Sequence, residues 1–569
     1  MLARIGVLTL LLCITACDTR ERLIYVECPD DAGDLDAGLD GSQPPIQPAP
    51  GSPDSATPDS SVAEPSESTC PPLAQRTLVD IKAGVLSEDR TRWTCDHIYV
   101  LNGIVFVASG DLGSPQVLTI EPGTVVRGQV TASARGFLVV TRTGRIEAEG
   151  TRVDPIVFTS ANPVGSRARD DWGGITLLGA ASTGGTRRVE GFPATVGGHN
   201  IDDQLAYGPP EEEEPDAGAG DAGTPRTDGG RHTASDAGHQ DAGNDAGQDS
   251  GASTEAETGQ RTPLALQGGA AIPGAGADGH DCGTLRYVRV EFASFNAGGG
   301  MGNESNGIQL YACGYRTVID HVQVHLSGDD GVEVFGGSVD FSHLLITGAS
   351  DDSFDWDDGW RGRAQFLIAQ QYPDAADLGF EAGGTSDTPL RDPDPRIFNA
   401  TWIGTNNGIG GKVGGRLRGG SRGYLRNQIF MAFNAGAIDI GGSTAAAHLR
   451  EGTLSLRNSV FWMADTAILF PSGAEDTADD GLDEMESLSA GPTLNRITDD
   501  PRLIAPYNYT APNFVPAPDA ALGALYAEQP SEAFGDTRPP FFDLEADFVG
   551  AIEPGGEDWT RGWTAFPPK

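Results

Sequence analysis

The sequence predicts an all-β fold, a parallel β-solenoid in which short strands wind into stacked coils, and three observations carry that prediction. Glycine is abundant, at 78 of 569 residues, and only 7% of the chain is aromatic; this composition suits tight turns between short strands better than helix packing. Several stretches alternate apolar and polar residues with the period of two that a half-buried strand requires. A small residue followed by apolar–X–apolar also returns, from residue 307 onward, at offsets of 24, 22, 26, 29, 28 and 30. Each interval holds two or three strands. Intervals of this length mark stacked coils, whereas a meander of hairpins would show two-residue Asn-Gly turns more regularly.

Taken in order, the chain begins with MLARIGVLTLLLCITAC, in which Arg4 precedes an apolar run too short to span a bilayer and then small residues. This is the layout of a secretory signal, residues 1–16. Ile14 to Cys17 resembles the lipobox of bacterial lipoproteins, and the resemblance implies a lipid on Cys17. Several acyl chains on one residue anchor stably where a single chain is marginal. The expectation is a protein tethered by lipid at the bacterial outer membrane or cell surface, with Asp18 leaving inner-membrane retention as an alternative.

Residues 17–70 read as the linker after that anchor. Positions 29 to 69 are acidic, rich in Pro, Ser and Gly, and almost free of aliphatics, so they bury too little surface to offset their chain entropy and form a disordered stalk. The first part of the solenoid spans 71–208, with strand patterns at 117–128, 136–150, 154–160 and 172–179. A second disordered segment, 209–262, carries repeated D-A-G triplets. Its aspartates at 236, 241, 245 and 249 recur without a large apolar residue and without EF-hand spacing, so they read as a solvated loop and not as calcium repeats.

The main coils occupy 263–500. Their motifs are NGIQL (306–310), DGVEV (330–334), DSFDW (352–356), LGFEA (378–382), NGIGG (407–411), AGAID (435–439) and DTAIL (465–469), with TVIDHVQVHL and VDFSHLLIT between the first of them. A helix competes only around 474–490. Residues 501–569 read as a C-terminal capping segment, with Trp559 and Trp563 closing the last coil against a sticky edge.

Charge and cysteines exclude several classes. The net charge is −43, and lysine occurs only at 82, 412 and 569, which excludes nucleic acid as a partner because phosphate binding needs clustered cations. After Cys13 and Cys17 are set aside, Cys28, Cys70, Cys95, Cys282 and Cys313 remain. The pairs Cys70–Cys95 and Cys282–Cys313 are each about one coil apart and are the expected bridges. No CxxC or Cys/His cluster has zinc spacing.

Several segments now resemble a known family: LTIEPGTVVRG, GRIEAEGTRVDPIVFTS, DDWGGITLLGAA, NGIQLYACGYRTVIDHVQVHLSGDDGVEVFGGSVD, DDSFDWDDGWRGRAQF and the ending FVGAIEPGGEDWTRGWTAF. They are similar to a family of uncharacterised bacterial surface lipoproteins with right-handed parallel β-helix repeats. The resemblance runs from about residue 77 to the end, minus the 209–262 insert. It implies that fold and export, and no particular activity.

The candidate site lies where GDDGVEVFGG (328–337) and SDDSFDWDDG (350–359) repeat at an offset of 22. One coil separates them, so equivalent residues stack about 4.8 Å apart. Strand alternation sends Val332, Val334, Phe354 and Trp356 inward and Glu333 and Asp355 outward, and Glu381 continues their row. Asp329, Asp330, Asp351 and Asp352 crowd the preceding turns, with Asp357 and Asp358 at the far end.

Stacked carboxylates repel and raise one another's pKa unless cations compensate. Three readings follow. In the structural one, the aspartates cap turns by accepting from backbone N–H groups, with Arg361 or Arg363 neutralising the rest. In the second, Asp329, Asp330, Asp351, Asp352, Asp357 and Asp358 hold calcium, which favours hard oxygen ligands. In the third, Asp329, Asp330, Asp351 and Asp352 are catalytic. SGDDGVEV resembles the double-aspartate motif of polygalacturonase-type glycoside hydrolases, whose paired carboxylates act as acid and base around a water. The family's other partners are missing here: the preceding coil reads ESNGIQ, no Gly-His-Gly follows, and Gly410 stands two places before Lys412.

Glu333, Asp355, Glu381 and the turn residue Trp360, whose ring offers a flat face to a sugar, form the expected ligand-binding set. His321, His325 and His343 read as incidental. The sequence thus points to a binding module for a glycan or surface protein, with calcium as the candidate cofactor, and alternatively to a carbohydrate-active hydrolase or lyase.

Overall fold

The short alternating stretches become strands that never turn back on their neighbours. The computed structural model describes residues 68–568 except 132–133, 185–188, 193–194, 197–198, 201–204, 209–277, 297–303, 385–391, 407–410, 464–468, 473–475, 480, 498 and 533–537. The signal, Cys17, Cys28, nearly all of the stalk and the whole 209–262 insert lie outside the described residues.

Each coil visits three faces. The first face stacks Gln116–Ile120 on Gly144–Glu149, then the leading halves of Gly283–Glu291, Val318–His325, Asp340–Thr347, Arg363–Gln370, Arg396–Ile403 and Gly423–Met431, and last Leu454–Arg457. The trailing halves of those long strands make the second face, which continues through Val460–Trp462 to Arg496–Ile497. The third stacks Phe137–Val140, Ile175–Leu178, Ile308–Tyr311, Val332–Phe335, Phe354–Asp357, Phe380–Ala382, Arg416–Arg418 and Asp439–Gly441. Every one of these pairings is parallel, and the architecture is a parallel β-helix.

The corner between the first two faces is a single residue per coil. Tyr287, His321, His343, Phe366, Asn399, Asn427 and Asn458 occupy it with φ between 46° and 60°. Left-handed backbone is costly for side chains other than Asn and Gly, and Asn takes the corner in three of these coils.

Inside, apolar side chains stack from coil to coil. Trp356 lies against Phe380 with ring centroids 4.9 Å apart, and Trp402, Phe430 and Phe461 continue the column. Disulfides join Cys70 to Cys95 and Cys282 to Cys313, with Cα separations of 5.6 and 5.9 Å.

Three expectations need correction. The rung after Glu381 is Arg416–Arg418, in register through Arg416, and not 407–411, part of which lies outside the described residues. A long turn displaced the motif. A helix, α1 (Ser443–Glu451), stands where none was expected, and a second, α2 (Glu484–Ser489), falls in the 474–490 stretch.

Finally, residues 501–568 do not close the last coil. They run back along the corner: Tyr526 and Glu528 meet Asn458 and Asn427, Asp543 meets Gln365, Phe548 meets Asn399, and Trp559 and Trp563 pack on His343, His321 and Tyr287. The reason is the apolar outer surface there. Leu345, Ile368, Ile403, Ile429 and Met431 point away from the solenoid and are buried under Phe514, Val515, Leu522 and Val549.

Candidate functional site

The third face carries an outward row that changes character along the solenoid. Thr176, Gln309, Glu333, Asp355, Glu381, Arg416 and Asp439 succeed one another in strand register. The acidic part is three coils long. Beside it, Leu178, Tyr311 and Phe335 form an apolar row, Tyr311 stacking on Phe335 at 4.1 Å, and this row turns acidic at Asp357. Val189, Phe192 and Leu205 cover the apolar stretch and leave the acidic coils beyond it.

The double aspartates divide the work between their two members. Asn306 Oδ1 accepts the Asp330 N–H at 3.0 Å, Asp330 Oδ1 accepts the Asp352 N–H at 2.9 Å, and Asp352 Oδ1 accepts the Leu378 N–H at 2.8 Å. The second aspartate of each pair is therefore a turn rung, buried and bonded to the coil above it. This matches the structural reading for Asp330 and Asp352. The first members stand more open. Asp377 N–H bonds to the Asp351 carbonyl at 3.1 Å, so Asp329, Asp351 and Asp377 belong to the same turn column.

Carboxylate oxygens gather across these coils. Asp329, Asp330 and Asp351 form one group within 4.8 Å of one another, Asp351, Asp352 and Asp377 a second, and Asp330, Glu333 and Asp355 a third. Among the described residues, neither Asp357 nor Asp358 joins such a group; they sit at the other end of their strand. Asp355 Oδ1 is shielded from solvent and accepts no hydrogen bond. Hard oxygens at these separations fit calcium.

Electrostatics follow from that crowding. Burial, then the charges of Asp351 and Glu304, push the Asp329 carboxyl up to about 8. Burial and the neighbours Glu333 and Asp352 hold Asp330 well above the carboxylate range, and burial with Asp351 and Glu381 does the same to Asp352. Burial with Glu381 and Asp357 raises Asp355 against the pull of Arg418. Burial and Asp377 raise Asp351, against Lys412. Glu381 stays raised by burial although Arg418 contacts it.

Of the two cations expected to neutralise the row, Arg361 donates from Nη2 to the Asp392 carbonyl at 3.1 Å. Arg363 is spent on Asp340 at 2.6 Å and Glu532 at 3.2 Å, on the first face. Arg418 on Glu381 and Lys412 on Asp377, at 3.1 Å, reach the acidic row where Arg363 does not. Asp377, Glu304, Arg418 and Lys412 were missed. Asp377 was legible, since it immediately precedes the LGFEA repeat; Glu304 and the cations come from turns with no periodicity.

Trp360 is a correction. Its ring is fully buried among Phe341, Phe354 and Trp356, and its indole N–H donates to the Val339 carbonyl at 3.0 Å. The turn that carries it folds inward because an indole buries more apolar surface there than any exposed position allows. His321 and His343 share the Asp320 carboxylate at the first corner, far around the coil from the row. Gly419 to Gly423 has the spacing of a nucleophile elbow, but Ser421 is buried and its hydroxyl faces the Arg418 and Ala382 carbonyls.

Comparison with known proteins places this architecture. A search of curated proteins and a search of solved structures each found no match to the chain. A family model described as a pectate-lyase like beta helix domain matches residues 84–207 and 251–492, more than half of the chain and all of the acidic row. The parallel coils and this match together make the chain a member of the pectate-lyase-like β-helix domain family.

Proposed function

We propose that this is a lipid-anchored cell-surface β-helix protein that binds a glycan or another surface component through its acidic row, with calcium bridging the carboxylates. The observation that supports it best is the gathering of oxygens from three coils into groups within 4.8 Å. A cation removes the repulsion that such a cluster otherwise carries, and open coordination positions on calcium accept ligand hydroxyls or carboxylates. Asp330 and Asp352 then serve as turn rungs as well as ligands, leaving Asp329, Asp351, Glu333 and Asp355 to face the ion. The anchor rests on the Ile14 to Cys17 lipobox. No described helix is long and apolar enough to cross a membrane.

A second reading, a polysaccharide hydrolase or lyase, draws on Asp329. A carboxyl that burial and the charge of Asp351 push up to about 8 is suited to proton transfer near neutral pH. Calorimetric calcium titration followed by glycan-array binding, with and without chelator, separates the two. Retention of an intact glycan only with calcium supports the binding module, and Asp355→Asn should weaken calcium roughly tenfold or more. Release of shortened glycan that is lost in Asp329→Asn would replace the module with an enzyme; no calcium uptake at all would remove the bridging ion.

A further inference from the structure

A second site of opposite charge lies at the end of the solenoid. The last first-face strand, Leu454–Arg457, the C-terminal turn of α1 and the 487–493 segment enclose a cleft of about 480 Å³. Leu449 and Pro492 supply the apolar surface that solvent reaches, with Leu454, Leu456 and Leu488 buried in the core behind them. The polar groups are two arginines, Arg450 and Arg457, with the hydroxyl residues Ser455, Ser487 and Thr493.

The arginines are unlike those on the neighbouring coil. Arg426, in strand register with Arg457, has a carboxylate: its Nε lies 3.1 Å from Glu528, although without a directed hydrogen bond, its Nη1 donates to the Ser455 carbonyl at 2.8 Å, and it lies over Tyr424. Arg457 has no carboxylate or acceptor among the described residues, and its Nε is buried without a partner. Arg450, exposed on the helix, has none either. A buried guanidinium N–H left unpaired costs free energy that a bound acceptor returns. In a chain of net charge −43, a cleft that keeps two guanidinium groups away from carboxylates is poised for an anion brought from outside.

The walls fix the rest of the ligand. A volume of about 480 Å³ is that of a small-molecule pocket, and apolar surface beside the guanidinium groups favours an organic anion over a bare inorganic ion. We infer that this cleft binds an amphipathic organic anion, an apolar ring or short chain bearing one oxyanion, with Arg457 and Arg450 on the oxyanion and Leu449 and Pro492 on the apolar body. Guanidinium forks suit planar and tetrahedral oxyanions alike. This site is independent of the acidic row, and its success or failure leaves the calcium reading untouched.

The test is a pair of probes sharing one ring system, titrated calorimetrically into the full-length chain: naphthalene-2-sulfonate and neutral 2-naphthol. The sulfonate should bind roughly tenfold or more tightly than the alcohol, as a charge-assisted contact predicts. Arg457→Gln should erase that preference and leave naphthol binding unchanged. Arg450→Glu, on an exposed helix position, should weaken the sulfonate selectively and keeps the test decisive if Arg457→Gln misfolds. Equal affinity for the two probes, or variants that retain the sulfonate preference, would overturn the assignment.

Discussion

Asp352 separates a structural carboxylate from a functional one. Its Oδ1 accepts the Leu378 N–H, so Asp352→Ala leaves a buried donor unpaired and should cost about 1–3 kcal/mol. Asp352→Asn keeps an acceptor in place and removes an ionisable group from beside Asp351 and Glu381, so its melting temperature should match or exceed that of the parent. Thermal unfolding of both variants checks this; an Asn variant as unstable as the Ala one would contradict the rung. Trp360 illustrates the opposite lesson. Its sequence setting, after a glycine between strands, resembles that of an exposed platform, yet the ring is core. Alternation assigns a direction within a strand, and Trp360 stands just outside one.

The elements show why the coil spacing was readable and its last rungs were not. Two rungs of equal length, Val332–Phe335 and Phe354–Asp357, follow each other one coil apart because the turns on either side of the intervening strand Asp340–Thr347 are short. Beyond Glu381 the turns lengthen, and a pattern of one small and two apolar residues slips onto 407–411 while the ladder continues at Arg416. The corner element makes its own prediction. Asn427 holds left-handed backbone and also clasps the C-terminal segment, donating to the Glu528 carbonyl at 2.7 Å and accepting the Glu528 N–H at 2.8 Å. Asn427→Ala loses both bonds and adds roughly 1–2 kcal/mol of backbone strain. Hydrogen exchange around residues 526–529 should accelerate while the third face stays protected. Unchanged exchange there would show that the clasp contributes nothing.

For the molecule as a whole, the acidic row makes stability depend on pH in a set direction. Unfolded, Asp329 titrates near its ordinary value, about 4; folded, it titrates at about 8. Between those values the folded state keeps a proton that the unfolded chain releases. The stabilisation is complete below about pH 4 and is lost as pH rises through about 8. Asp330, Asp351, Asp352, Asp355 and Glu381 are shifted the same way. In chelator, the melting temperature should therefore fall from pH 5 to pH 8, and calcium should flatten that slope. A slope of opposite sign, or one that calcium leaves unchanged, would remove the ion from the row. The C-terminal segment supplies a second global prediction. Ending the chain at residue 500 uncovers Leu345, Ile368, Ile403, Ile429 and Met431, so the truncated protein should bind apolar dyes and aggregate.

The sequence by itself determined the all-β class, the coiled repeat and the shared row of Glu333, Asp355 and Glu381, because strand alternation and a constant offset are local rules that repeat at every coil. Only the tertiary structure decided that Asp330 and Asp352 bond the next turn, that Trp360 is core, and that the last residues clothe a corner instead of an end. Those outcomes depend on which surfaces compete for burial and which backbone groups lack partners, and neither is set within one coil.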